Sequence, residues 1–133
     1  MLRCRMKYFI LCILAIALTT SCGREPPAAN DIATLTHMVH EQAYQMGLTE
    51  MPTVILEDLG STFLGKASLY EEGHWIIRLS PKMLGNERML KGVIYHELSH
   101  VVAINTWGPD IPPHGDYFQR ICKVWTTTRM CKA

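Results

Sequence analysis

Ile94-Tyr95-His96-Glu97-Leu98-Ser99-His100 lies inside a mostly apolar stretch running from Asn86 to about Asn105. On a helix, positions four apart project from one face, one turn above the other, so His96 and His100 can offer imidazole nitrogens to a single metal ion. Glu97 follows about 100° further round, near enough to take a proton from water at that ion, which is why this spacing marks zinc hydrolases. Stepping about 100° per residue from Met89 puts Leu90, Val93, Val101 and Ile104 on the same arc as His96, Glu97 and His100. Leu98 and Val102 fall opposite. The segment therefore reads as a core helix packed on more than one side, capped at its start by Asn86. Polar groups withdrawn from water cost several kcal/mol unless satisfied, and two imidazoles beside a carboxylate are satisfied by a cation. Two core histidines bonded to backbone carbonyls are the competing reading.

Towards the amino terminus, Ser80-Pro81 closes a strand, Trp75 to Leu79, which pairs with Lys66 to Tyr70 across Glu71-Glu72-Gly73-His74. The pair reads as a hairpin with Gly73 at positive φ, and His74 as a turn residue in solvent. Its free edge can take an extended peptide as an added strand. Gly60 to Gly65 is loop-like, and Thr53 to Glu57 is a further short strand after Pro52. Asp31 to Met46 reads as a helix, with Asp31 capping it, Ile32, Leu35, Val39 and Met46 at helical spacing, and Gly47 ending it. His37 and His40 on that helix read as exposed polar positions rather than ligands.

Beyond the central helix the question is the third metal ligand, since a catalytic zinc site keeps three protein ligands and one open position. The extended form with Gly and His downstream fails, because Ala103 and Thr106 stand there, and no glutamate follows Glu97. His114, Asp116 and Asp110 remain as candidates. A last helix, about Asp116 to Trp125, has Asp116 as its cap and Tyr117, Phe118, Ile121, Val124 and Trp125 as its apolar face. Tyr117 and Arg120 are available as oxyanion donors.

Residues 1–22 read as an export signal: Arg3, Arg5 and Lys7 form a positive start, and Tyr8 to Leu18 is an apolar run too short to span a bilayer as a helix. Leu18-Thr19-Thr20-Ser21-Cys22 is similar to a bacterial lipoprotein cleavage box, with Cys22 as the lipidated residue and Thr19 departing from the usual aliphatic. Residues 23–30 read as a tether that holds residues 31–133 at a membrane surface of the cell envelope. Of five cysteines, Cys4 and Cys12 fall in the signal and Cys22 is the lipid site, leaving Cys122 and Cys131 as a pair for a disulfide or two free thiols. Thirteen basic and twelve acidic residues become ten and twelve once the signal is set aside, which is no nucleic-acid footprint.

His96-Glu97-Leu98-Ser99-His100, thirteen residues, then His114-Gly115-x-x-Phe118 resembles the SprT-like zinc metallopeptidases, in which the histidine of the His-Gly-x-x-Phe segment is the third ligand. Leu64-Gly65-Lys66-Ala67-Ser68 and Trp75 to Pro81 are similar to the hairpin before that family's active helix, so the resemblance covers about residues 53 to 125. It implies zinc on His96, His100 and His114, Glu97 as general base, and protein or peptide as substrate. Better-known members add a ribbon of paired cysteines and act inside cells on DNA-bound proteins. No such ribbon lies in these residues, so the resemblance carries the catalytic core and not the substrate. The expected fold is α+β and zincin-like: an amino-terminal helix, a small sheet with a hairpin, the central helix and a closing helix. The expected activity is that of a zinc-dependent peptidase, with a non-catalytic zinc-binding envelope module as the alternative.

Overall fold

The structure, a computed structural model, describes residues 31–132. The expected signal peptide, Cys22 and the tether lie outside the described residues. At the first of them, the Asp31 carboxylate accepts the Ala33 N–H at 3.1 Å and starts helix α1 (Ile32–Gln45). Leu35, Val39 and Ala43 recur every fourth position and are fully buried, as one stripe of an amphipathic helix must be. Gly47, at φ 84°, turns the chain out of the helix.

Three strands follow: β1 (Thr53–Leu56), β2 (Gly65–Leu69) and β3 (Trp75–Leu79). Their order in the sheet is β1-β3-β2, with β1 parallel to β3 and β2 antiparallel to it. Gly73, at φ 78°, closes the hairpin, in which the Tyr70 N–H donates to the His74 carbonyl at 2.9 Å. Trp75, Ile77 and Leu79 alternate inward along β3 and are buried, the period-two signature of a strand with one face in the core. Because β3 is central, β2 is an edge. Its outer side faces helix α2 (Glu87–Trp107), the longest element among the described residues.

Asn86 caps α2, its side-chain oxygen accepting the Met89 N–H at 3.0 Å. Leu90, Ile94, Leu98 and Val101 are essentially fully buried and share one core with α1 and the sheet. On its other side α2 meets α3 (Asp116–Trp125), and Tyr95 stacks on Trp125 with ring centroids 5.7 Å apart. Among the described residues the architecture is α+β: three helices on a small three-stranded sheet, with α2 between the sheet and α3.

Several local expectations need correction. Helix α2 runs to Trp107, two residues past Asn105, and Met89 is 40% exposed although it lies on the arc that turns inward further along. Asp116 is not the cap of α3. Gly115 occupies that position, and Asp116 is the first helical residue, where its negative charge meets the helix N-terminus. Val124 is 76% exposed and Tyr117 40%, because the buried stripe of α3 runs through Phe118 and Cys122, with Ile121 and Trp125 half-buried at its margins. His40 is half-buried with its Nε2 2.9 Å from the Pro52 carbonyl, while His37 is exposed. His74 is exposed at the hairpin end and hydrogen-bonds the Thr53 hydroxyl at 2.7 Å.

Since Asn86 satisfies an otherwise orphaned N–H at the start of the helix that carries the motif, Asn86→Ala should cost about 1 kcal/mol. Reversible thermal or urea unfolding at neutral pH measures it.

Candidate metal centre

Helix α2 lifts His96 and His100 from consecutive turns, and the loop 108–115 brings His114 to them. Gly108, at φ 92°, ends α2 with its N–H on the Ile104 carbonyl, and Gly115 closes a turn onto the Pro112 carbonyl at 3.0 Å. A Cβ at Gly115 would meet that proline's own Cβ at 3.0 Å, so the tight return before α3 favours glycine. Trp107 stacks on Tyr117 at 4.5 Å and clasps the two ends of the loop.

The three imidazoles converge. His96 Nε2 lies 3.3 Å from His100 Nε2 and 3.2 Å from His114 Nε2, and one ligand atom from each residue falls within 4.8 Å of the others. Two nitrogens about 2.0–2.1 Å from one ion at a tetrahedral angle are about 3.3 Å apart, so the spacing fits a single zinc-sized cation. Burial is graded: His96 is buried, His100 intermediate and His114 exposed. The fourth direction is therefore left to the solvent side. Asp110 and Asp116, the competing third ligands, are exposed and are not part of the metal-capable group found among the described residues.

Three neighbours set the rings. The His96 Nδ1–H donates to the Met130 carbonyl at 2.7 Å, which leaves the Nε2 lone pair for the cluster. Phe118, fully buried, stacks on His100 at 4.3 Å and meets His96 and His114 edge-on, each at 4.9 Å. It forms the wall behind all three. Burial lowers the pKa of His96, with the Met130 carbonyl opposing and His114 adding to the fall. Burial also pushes His100 down to about 3, helped by His96 and His114. Neutral imidazoles with free lone pairs are the state a metal requires.

Glu97 is 6% exposed and stands apart from the three-histidine group, against the edge of β2. Burial raises its pKa to about 7, and the backbone N–H of Ala67, donating to the carboxylate, holds back the rise. A Cβ at Gly65 would lie 2.8 Å from Glu97 Oε1 and 2.7 Å from a Val93 methyl. Only glycine lets the strand come this close. An open cleft of about 690 Å³ runs past Glu97 and the histidines, lined mainly by apolar residues including Phe63, Trp75, Ile104 and Ile111. Among the described residues, Tyr117 and Arg120, the oxyanion candidates, are not in its lining.

Sequence reasoning did not find Gly65, Met130 or Gln119, whose amide donates to the His114 carbonyl at 3.4 Å and to the Cys131 carbonyl at 2.8 Å. Gly65 carried a signal, an isolated glycine at the start of a strand pattern. A backbone carbonyl from Met130 carried none.

The fold and the site together define a small α+β protein with three histidines, on a helix and the loop after it, able to hold a metal ion. Residues 32–132 match the SprT-like family, and the chain belongs to that family. The match is wider than the stretch from 53 to 125 that carries the resemblance in sequence. No curated protein and no solved structure matches the chain.

Two outcomes follow from the packing around Glu97. Gly65→Ala should destabilise by about 1–3 kcal/mol through overpacking, read from the unfolding midpoint. For the metal-free protein, a Glu97 pKa raised to about 7 from 4.5 means that the folded state binds the extra proton between these values. Glu97 thus favours folding below about pH 4.5 and loses that contribution as pH rises through 7. Glu97→Gln should match wild type near pH 4.5 and exceed it by up to about 3 kcal/mol at pH 8, measured by unfolding in the presence of a chelator.

Proposed function

We propose that this chain is a zinc-dependent peptidase of zincin-like architecture, acting on protein or peptide segments in the bacterial cell envelope and anchored there by lipid on Cys22. The observation that carries the reading is the pairing of three convergent imidazoles with one buried carboxylate that is not among them, in an open cleft. A structural site would close all four positions and would need no base beside it.

Bound Zn2+ supplies Lewis acidity, which acidifies water and polarises a carbonyl. Glu97 takes the proton of the attacking water and delivers it to the leaving amine. Its raised pKa suits both duties, since a base that must also act as an acid works best near the ambient pH.

Substrate binds as an extended strand along the free edge of β2. Hydrogen bonds at Tyr70–His74 and Leu64–Ser80 fix the ladder, so Gly65, Ala67 and Leu69 turn their backbone groups away from β3; Glu97 takes the Ala67 N–H, which leaves the Ala67 carbonyl and the groups of Gly65 and Leu69 for substrate. Extended backbone is the form that unfolded or flexible protein presents, and the apolar lining favours large apolar side chains beside the scissile bond.

The test is metal content with matched cleavage, using the full chain in wild-type, Glu97→Gln and His114→Ala forms. Zinc near one per chain in wild type and Glu97→Gln, with cleavage of unfolded protein only in wild type, is expected. His114→Ala should weaken zinc binding sharply. Zinc bound without cleavage of any unfolded substrate would favour the non-catalytic zinc-binding module instead, and no zinc in wild type would remove the metal reading.

A further inference from the structure

The chain beyond α3 supplies nothing to the chemistry derived above beyond one carbonyl, yet the His96 imidazole leans on it directly and the His114 backbone through Gln119. After Trp125 it folds back into a short 3-10 turn, Met130–Lys132. The turn's own backbone hydrogen bonds are long, 3.3 Å from Cys131 N to Thr127 O and 3.3 Å from Lys132 N to Arg129 O. What fastens it is side-chain chemistry. Cys131 is joined by a disulfide to Cys122 of α3, and both are fully buried beside Phe118.

From this turn two contacts reach the metal ligands. The Met130 carbonyl accepts the His96 Nδ1–H at 2.7 Å. The Met130 side chain packs on Gly92, one turn before His96 on α2, where an added Cβ would meet it at 3.1 Å. The Gln119 amide bridges the Cys131 carbonyl at 2.8 Å and the His114 carbonyl at 3.4 Å. One small turn, closed by one covalent bond, therefore orients His96 directly and braces the backbone of His114.

We propose that the Cys122–Cys131 disulfide and Gln119 are positioning residues for the metal centre, and that the redox state of the disulfide sets the affinity of the site. This rests on the reading of the three histidines as metal ligands. In the reduced chain, a dithiol has donated two electrons and two protons by thiol–disulfide exchange: the S–S bond is broken, Cys122 and Cys131 are thiols, and the dithiol is a disulfide. The turn then keeps its two long backbone bonds, the Gln119 bridge and the packing of Met130 on Gly92, but has lost its one covalent tie to α3. The Met130 carbonyl leaves His96, whose imidazole loses both its tautomer preference and its orientation. Partners of this kind, hydrogen-bonded to a ligand's second nitrogen, typically contribute about 10–100-fold to metal affinity. Coupling of this sort is reciprocal, so bound metal protects the disulfide from reduction. For an exported chain, the site would be completed only after it reaches an oxidising compartment.

The test uses the full chain in oxidised wild-type, Cys122→Ala/Cys131→Ala and Gln119→Ala forms. The double variant replaces chemical reduction because free thiols would bind zinc themselves. Zinc affinity is read by chelator competition, folding by circular dichroism of the metal-free protein, and the His96 tautomer in the metal-free protein by nitrogen-detected NMR. Expected are zinc binding weakened about 10–100-fold in the folded double variant, and a His96 ring protonated at Nδ1 in wild type but mixed between Nδ1 and Nε2 in the variant. A folded double variant with wild-type affinity and a wild-type tautomer overturns the proposal. If the double variant does not fold, Gln119→Ala, which keeps the disulfide, decides: measurably weaker zinc binding by the folded variant supports the bracing of His114 by the turn, and unchanged affinity overturns the proposal. Absence of zinc binding in oxidised wild type would sink the metal reading itself, and would be told apart from failure of the positioning proposal by the tautomer, which needs no metal.

Discussion

Two imidazoles and a carboxylate withdrawn from water on one face of α2 are the constraint to which the surrounding structure answers. Burial disfavours the charged form of each, which lowers His96 and His100 and raises Glu97. Neutral histidines still need their polar atoms satisfied. The Met130 carbonyl takes one N–H, and the Nε2 atoms of His100 and His114 come within 3.2–3.3 Å of His96 Nε2, a separation that suits one cation. Phe118 fills the space behind the rings with an apolar, close-packed wall, so the imidazoles are fixed by packing as well as by hydrogen bonds.

The position of α2 between two partners explains how one helix can serve both core and cleft. Leu90, Ile94, Leu98 and Val101 anchor it in the core shared with α1 and the sheet, while His96, His100 and Phe118 meet across the boundary with α3. The edge strand β2 comes close to α2 because Gly65 has no side chain to hold it off. That approach places a backbone N–H on Glu97, and it leaves the carboxylate facing a strand edge instead of the core.

Much of this organisation is legible along the chain, and the failures have identifiable causes. Helical spacing located α1, α2 and α3, and the Glu71-Glu72-Gly73-His74 turn between two short runs located the hairpin, because these signals are local. The cap of α3 was misassigned: an aspartate at a helix start is a good cap, but the Gly115 turn onto Pro112 begins the helix one residue earlier than Asp116 suggests. Val124 is apolar and exposed because apolar residues need not be buried. His40 looked like a surface residue for want of any sign that the Pro52 carbonyl, twelve residues on, would lie beside it.

The sequence by itself determined the candidate donors on α2, since the spacing of His96, Glu97 and His100 has only one helical geometry, and it determined the α+β class through the helical spacing of some segments and the short, turn-bounded runs of others. It left His114, Asp110 and Asp116 open as a third donor on spacing alone, with only family resemblance favouring His114. The return of the loop 108–115 is what brings the His114 imidazole within reach of the other two. Only the tertiary structure decided which atoms stand behind the three imidazoles. The Met130 carbonyl lies 34 residues from His96 in the chain, and backbone carbonyls are the same in every residue, so no residue type could announce that contact. Gln119 and the Cys122–Cys131 pair are visible as residues, but their bearing on the histidines exists only once α3 and the turn after it have packed against α2.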